Sequence, residues 1–400
     1  MVTMTALTDT SRRRSRWPLF LMPILLLIAA AAWSAFWFFA VSQAEVKADA
    51  WRAQEAKSGR SYTCAKQSIG GYPFRLEMRC DGARVTLTSQ TADAAAIPVT
   101  INLGEILAVA QIYDPKLLIA EFHAPATISE TPNAPAMQVN WTTARASVVG
   151  LPAIPQRASI VFDDVAIDRT NNSAVQVPVA RAKHVELHGR LAEGSTLKDP
   201  VIETVLQIHA GSVQDVHPVL ARPFAADIHA KLSGLKDVAP KPWPQRLREL
   251  QANGGHVEIV QSRIQQDDLV AVAAGTLELN SQGQITGELQ MTVTGIEKII
   301  PALGIEKMLE EGVPQATLDR VAPGVKSQDV TNLLGALDKA IPGLGKVVKQ
   351  NANAGVAAGI NALGKEATLE GKPARTFPLR FADGMVYLGP LKVGQVPPLF

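Results

Sequence analysis

No charged residue interrupts the chain from Trp17 to Val41, which reads Trp-Pro-Leu-Phe-Leu-Met-Pro-Ile-Leu-Leu-Leu-Ile, an alanine run, then Trp-Ser-Ala-Phe-Trp-Phe-Phe-Ala-Val. About 25 uncharged residues suffice to cross the roughly 30 Å hydrocarbon core of a bilayer as one helix. The stretch is apolar on every side, unlike the one-faced stripe of a soluble surface helix. Trp17 at its start and Trp33, Phe36, Trp37, Phe38 and Phe39 toward its end suit the aromatic belts of the two interfaces. Two readings stay open: a transmembrane anchor bounded by Trp17 and Val41, and a cleaved signal peptide with Ser42 and Ala44 as the small residues of its cleavage site. The apolar part is longer than the roughly 7 to 15 residues usual for a signal peptide, which favours the anchor.

Beyond the anchor the pattern changes. Gln43 to Lys57 is rich in good helix formers and predicts a helical stalk over residues 42–59, ending at Gly59. From Phe74 the chain alternates, with Phe74, Leu76, Met78 and Cys80 on one face and Arg75, Glu77 and Arg79 on the other, as in a half-buried strand. Asp81-Gly82 reads as a hairpin turn into a second strand, Ala83 to Thr88. Leu103, Ile106, Leu107 and Ala110 recur at helical spacing, predicting a helix between Asn102 and Ile112 that Asp114-Pro115 stops. Strands are then expected at Lys116–Phe122, Gln138–Val149, Ala158–Asp168, Val175–Leu191, Val201–Ala210 and Ala225–Leu232. A short helix follows at Pro242–Gln251, closed by Gly254-Gly255, and then three strands: one around Val257 and Ile259, one at Leu269–Leu279 and one at Gln284–Thr294. Two later helices are expected, one capped by Ser327 with Val330, Leu333, Leu334, Leu337 and Ile341 on a face, the other over Leu344–Leu363. The chain closes on strands at Thr376–Phe381 and Met385–Leu388 around Asp383-Gly384. Many short strands separated by turn residues predict a mainly β (α+β) fold: a curved or barrel-like antiparallel sheet with a few helices over residues 60–400, with two sub-domains dividing near 240 as one arrangement.

Composition adds compartment and excludes some partners. At 47% hydrophobic and 19% charged residues the chain has globular values. Net charge is +2, and the basic tail, residues 1–16, with Arg12, Arg13, Arg14, Arg16 and a single Asp9, carries more than all of it. The positive-inside bias therefore keeps that tail cytoplasmic and exports the rest. No basic face remains for nucleic acid. Cys64 and Cys80 are the two cysteines, and in an oxidising compartment they read as a disulfide, with a pair of buried thiols as the alternative.

The anchor, the phrase Gly-Tyr-Pro-Phe-Arg at Gly71–Arg75, the cysteine pair, and the closing phrases Leu379-Arg380-Phe381-Ala382-Asp383-Gly384 and Pro397-Pro398-Leu399-Phe400 together resemble a family of bacterial envelope proteins known as domain of unknown function 2125. The resemblance covers essentially the whole chain and implies, with the charge bias, a bacterial inner membrane with the bulk of the chain in the periplasm; it implies no catalytic residue, since the family has no assigned activity. In layout alone the chain is also similar to AsmA-like proteins, which place one inner-membrane helix before a long periplasmic β region and are linked to moving or organising envelope lipids.

Chemistry-bearing patterns are sparse. Ser195-Thr196-Leu197-Lys198 matches SxxK without the companion elements of penicillin-recognising enzymes. Gly359 to Lys365 matches GxxxxGK, but Glu366 stands where a Ser or Thr would hold magnesium. His184 and His188 share a face without an evident third metal ligand, and Asp163-Asp164 and Asp267-Asp268 read as turn acids. No cofactor or metal is expected. Gly70–Arg75 has two readings. One is a lipid, membrane or partner contact using Tyr72, Phe74 and Arg75, with the arginine meeting a phosphate. The other is a tight entry turn into the first strand. These features favour a non-catalytic envelope protein that binds or transfers a lipid or other apolar ligand along the concave sheet face. A scaffold recruiting an envelope protein partner is the alternative, and an envelope hydrolase a third.

Overall fold

The run of helix formers after the apolar stretch has no break before Gly59, and the chain forms one continuous helix, α1 (Trp17–Lys57), in the computed structural model. The structure describes residues 17–88, 98–129, 136–151, 154–170, 175–196, 198–214, 219–238, 241, 243–295, 364–389 and 391–400. The basic tail and both helices expected between Ser327 and Leu363 lie outside them. After α1 come β1 (Arg60–Gly70), β2 (Arg75–Leu87), β3 (Val99–Gln111), β4 (Asp114–Ser129), β5 (Met137–Asn140), β6 (Thr143–Val149), β7 (Arg157–Thr170), β8 (Gln176–Leu191), β9 (Ile202–Val213) and β10 (Phe224–Ser233). A second helix, α2 (Trp243–Ala252), precedes β11 (His256–Gln266), β12 (Leu269–Leu279), β13 (Ile285–Thr294), β14 (Lys365–Leu369), β15 (Lys372–Ala382), β16 (Met385–Leu388) and β17 (Leu391–Gln395).

All the described strands belong to one antiparallel sheet, and nearly all their pairings join strands consecutive in the chain, so the topology is a long meander. β5 and β6 are two parts of one strand position, both lying between β4 and β7. β13 pairs with β15, which also holds β14. Across residue 240, where α2 is inserted, β10 and β11 pair along their length, so the sheet runs through this point.

Several local expectations are corrected. Asn102–Ile112 is not a helix: Val99–Gln111 is strand β3, held between β2 and β4. Both its faces are half-buried, so apolar residues occur at odd and even positions and imitate helical spacing. Asp81-Gly82 does not end a strand, since β2 passes straight through it. The hairpin turn lies earlier, at Gly71–Phe74, and β1 precedes it. Asp163-Asp164 lies within β7, whereas Asp267-Asp268 does form the turn between β11 and β12.

What Asp81-Gly82 marks is a crease. Gly82 has φ +59° and stands across from Gly104, where the β3–β4 register shifts. The same line continues through the Trp141-Thr142 break between β5 and β6, through Asp164 (φ +52°) in β7, and through Ala210 (φ +49°) in β9 to the register shift at Phe224. Irregular residues of this kind bend a strand and increase its twist. Because they fall side by side on successive strands, the sheet from β2 to β10 bends along one line.

Pairing register sorts the side chains into two faces. On one face a single row runs Ile69, Met78, Ala108, Ala120, Ala146, Ile160, Leu187, Leu206, Ile228, Ser262, Ala273, Met291, Phe377. Ser262, the one polar member, returns its hydroxyl to the Ala273 carbonyl at 3.0 Å. With strands spaced about 4.8 Å apart, the row extends roughly 60 Å along the sheet. One residue over, on the opposite face, the row runs Arg79, Leu107, Glu121, Arg145, Val161, Glu186, Gln207, Asp227, Arg263, Val272, Thr292 and Thr376. The sheet is thus apolar along this row on one side and mostly polar, with Leu107, Val161 and Val272 interspersed, on the other.

At the start of the sheet, Cys64 of β1 and Cys80 of β2 form a disulfide, with Cα atoms 5.4 Å apart. Their sequence separation of 16 makes the bond worth about 3 kcal/mol through the entropy of the unfolded chain. We expect the Cys64→Ser/Cys80→Ser double variant to lose about that amount in urea denaturation. Unchanged stability would show that the helix and hairpin alone hold β1 in place.

Candidate membrane-proximal site

The turn between β1 and β2 is built for close approach. Gly71 has φ +95°, and a Cβ there would meet the Arg75 carbonyl at 2.7 Å. The turn closes on the bond from the Arg75 amide to the Gly71 carbonyl, 2.9 Å. Tyr72, Pro73 and Phe74 form its tip, and the tip docks on α1.

Three side chains of one helical turn receive it. Trp33 donates its indole N–H to the Pro73 carbonyl at 2.9 Å, and Trp37 donates to the Arg75 carbonyl at 3.0 Å. The Ser34 and Tyr72 hydroxyls share a hydrogen bond of 2.8 Å. Ring contacts accompany these bonds: Trp37 meets Tyr72 edge-on at 5.4 Å, and Trp33 meets Phe74 at 6.0 Å. Trp37 is only 6% exposed, although the residues around it on α1, Phe36, Phe38 and Phe39, are largely open. Phe74 also ties the next hairpin, accepting the Ile112 amide at 3.1 Å.

The upper end of α1 is fastened as well. Glu55, 4% exposed, accepts the Arg60 Nε–H at 2.6 Å, and this carboxylate raises the Arg60 guanidinium further above its already high range. Trp51 packs against Tyr62 at 4.8 Å. Between the two fastenings, the half-buried or buried positions Trp33, Trp37, Val41, Ala44, Ala48, Arg52 and Glu55 recur every three or four residues, marking one stripe turned to the sheet. From Phe20 to Ala32 every position is exposed.

Of the residues singled out in the sequence, Cys64 and Cys80 are bonded, and Tyr72 and Phe74 meet α1. Arg75 pairs with Glu77 at 3.1 Å. Trp33 and Trp37 were legible as belt residues and Ser34 was not, and no pattern in the sequence pairs any of them with the turn. Beside the disulfide, a hollow of about 560 Å³ opens along the crease, lined by residues including Thr63, Gly82, Arg84 and Asn102.

His184 is more engaged than its sequence suggests. Asp163 accepts from its Nδ1 at 2.6 Å and Glu186 from its Nε2 at 2.5 Å, while the other Glu186 oxygen meets His188 Nε2 at 2.7 Å. The two carboxylates, Asp163 foremost, raise the His184 pKa, because only the imidazolium can donate from both nitrogens. Asp163 is lowered in turn, first by the Thr143 hydroxyl and then by His184. These contacts cross-link β6, β7 and β8 on the polar face. Among the described residues no group of three or more His, Cys, Asp or Glu is arranged to hold a metal ion. Lys365 opens strand β14, so the GxxxxGK phrase does not end in the helix that a phosphate-binding loop requires.

Removing Trp37 should release the hairpin. We expect Trp37→Ala to lower the thermal stability of the detergent-solubilised chain by about 3 to 5 kcal/mol, and Trp37→Phe, which keeps most of the packing, by about 1 kcal/mol. Phe39→Ala, at a position 62% exposed, should change little. Equal effects at Trp37 and Phe39 would mean the docking contributes nothing.

Among comparisons with known proteins, a family model described as "Uncharacterized protein conserved in bacteria (DUF2125)" matches residues 37–397. No curated protein and no solved structure matches. The likeness to AsmA-like proteins therefore rests on sequence layout alone.

Proposed function

The chain belongs to this family of uncharacterised bacterial proteins, and on that premise we propose that it is a membrane-anchored envelope protein whose sheet binds a lipid or another apolar ligand on its apolar face. One observation carries the reading: an apolar row, broken by a single self-satisfied serine, crosses the strands from β1 to β15. The face is not sealed along that row, since Leu187 is 44% exposed, and Ile264 on the same face 39%. Aliphatic side chains in this number, left half-open to water, favour a long apolar occupant over a small polar one.

Separate features support the location. α1 carries a segment long and apolar enough to cross a membrane. Arginines at 12, 13, 14 and 16 precede it, which orients the β region outward by the positive-inside bias. A cross-strand disulfide belongs in an oxidising compartment, here the periplasm. No chemistry is assigned to the sheet, because its charged side chains pair across strands instead of converging on a cleft.

Native mass spectrometry with lipid analysis, on full-length chain extracted from membranes, tests the reading. Stoichiometric co-purifying lipid that is lost when Leu187 and Ile228 are changed to Glu supports it. A folded, disulfide-bonded chain that is empty would overturn it in favour of a scaffold that recruits an envelope protein.

A further inference from the structure

We propose that the tips of the β1–β2 and β3–β4 hairpins lie in the outer interface of the bilayer that α1 crosses, with Tyr72, Phe74 and Tyr113 in contact with lipid. The inference rests on the anchoring part of the reading above and is independent of what the sheet binds.

The depth of the tips follows from the helix. Trp17 and Trp37 are about twenty residues apart, which at 1.5 Å per residue is roughly 30 Å, the thickness of the hydrocarbon core. With Trp17 at the cytoplasmic belt, Trp37 falls at the opposite one. The stripe of α1 that packs on the sheet begins just there, at Trp33, and everything from Phe20 to Ala32 is free of it. Trp37 is bonded to the Arg75 carbonyl and Trp33 to the Pro73 carbonyl, so the turn cannot stand at another height. The membrane exit therefore lies near Trp37, about four residues before Val41, and the segment Trp33 to Trp37 that receives the turn lies within the outer interface.

The chemistry of the tips suits that depth. Tyr72 is 54% exposed, Phe74 58% and Tyr113 69%, three aromatic side chains gathered at neighbouring turns linked by the Ile112 amide. Aromatic rings with a polar handle are favoured where an apolar layer meets water, and the open rings of Phe36, Phe38 and Phe39 on α1 continue the same belt. Tyr113 decides the matter. It is the most open of the three tip side chains, and if the turns merely brace the helix it has no reason to meet lipid.

The test uses the full chain in vesicles of phosphatidylethanolamine and phosphatidylglycerol, with single cysteines introduced at Phe74, Tyr113, Leu26 and Thr88 and labelled with an environment-sensitive fluorophore. Lipids brominated high on the acyl chain serve as quenchers. Leu26 lies in the exposed apolar half of α1, and Thr88 is exposed at the far end of β2. Labels at Phe74 and Tyr113 should be quenched several-fold more than the label at Thr88, with Leu26 quenched as a membrane reference. If Leu26 is quenched and Tyr113 behaves like Thr88, the anchor stands and the insertion of the tips is overturned. If Leu26 also escapes quenching, the anchoring reading falls and the inference with it.

Discussion

Two indole N–H groups, those of Trp33 and Trp37, reach from the helix to carbonyls of the first hairpin turn, and the placement of every later strand depends on that bond pair. A meander adds each strand to the last, so the orientation of β1 and β2 is passed on to the whole sheet. At the other end of the same helix segment, Glu55 and Arg60 fix where β1 begins. About 24 residues of helix and the 11 residues of β1 are each roughly 36 Å long, so the two elements match and can lie side by side. The helix changes character along its length: Phe20 to Ala32 offers only apolar, exposed side chains, and the part from Trp33 on offers a stripe to the sheet and polar residues to water.

The sheet obeys a simple division. Charged and hydroxyl side chains pair across strands on one face, as in Gln207 with Asp227 and Thr292 with Thr376. Aliphatic residues hold the other. Such a division specifies register, because a slip of one residue would turn the whole apolar set outward. The crease through Gly82, Asp164 and Ala210 bends the sheet without breaking it. Left-handed backbone at an alanine and an aspartate is uncommon, and its recurrence on one line marks the bend as a property of the sheet and not of a single strand.

Much of this was legible. The alternation in β12 and β13, the Asp383-Gly384 turn and the apolar span follow directly from period and composition. Asn102–Ile112 misled because a strand with two half-buried faces has apolar residues at both parities, and helical spacing can then be picked out of it. Asp81-Gly82 misled because a glycine in left-handed backbone marks a bend inside a strand as readily as a turn between strands. The docking of Tyr72 and Phe74 on Trp33 and Trp37 joins residues some forty positions apart, and no local pattern carries such a pairing. His184 was isolated in the sequence because its partner Asp163 stands on the neighbouring strand and enters only through register.

The central claim is that α1 and the first hairpin form one unit, which requires the helix to stay attached. Ala44 lies on the packed stripe, so cleavage after it would strip away Trp33, Ser34 and Trp37 together. The intact mass of the protein isolated from membranes of the producing cell tests this most directly. The account predicts a mass that includes the residues before Ser42. A mature chain beginning at Glu45 would contradict it.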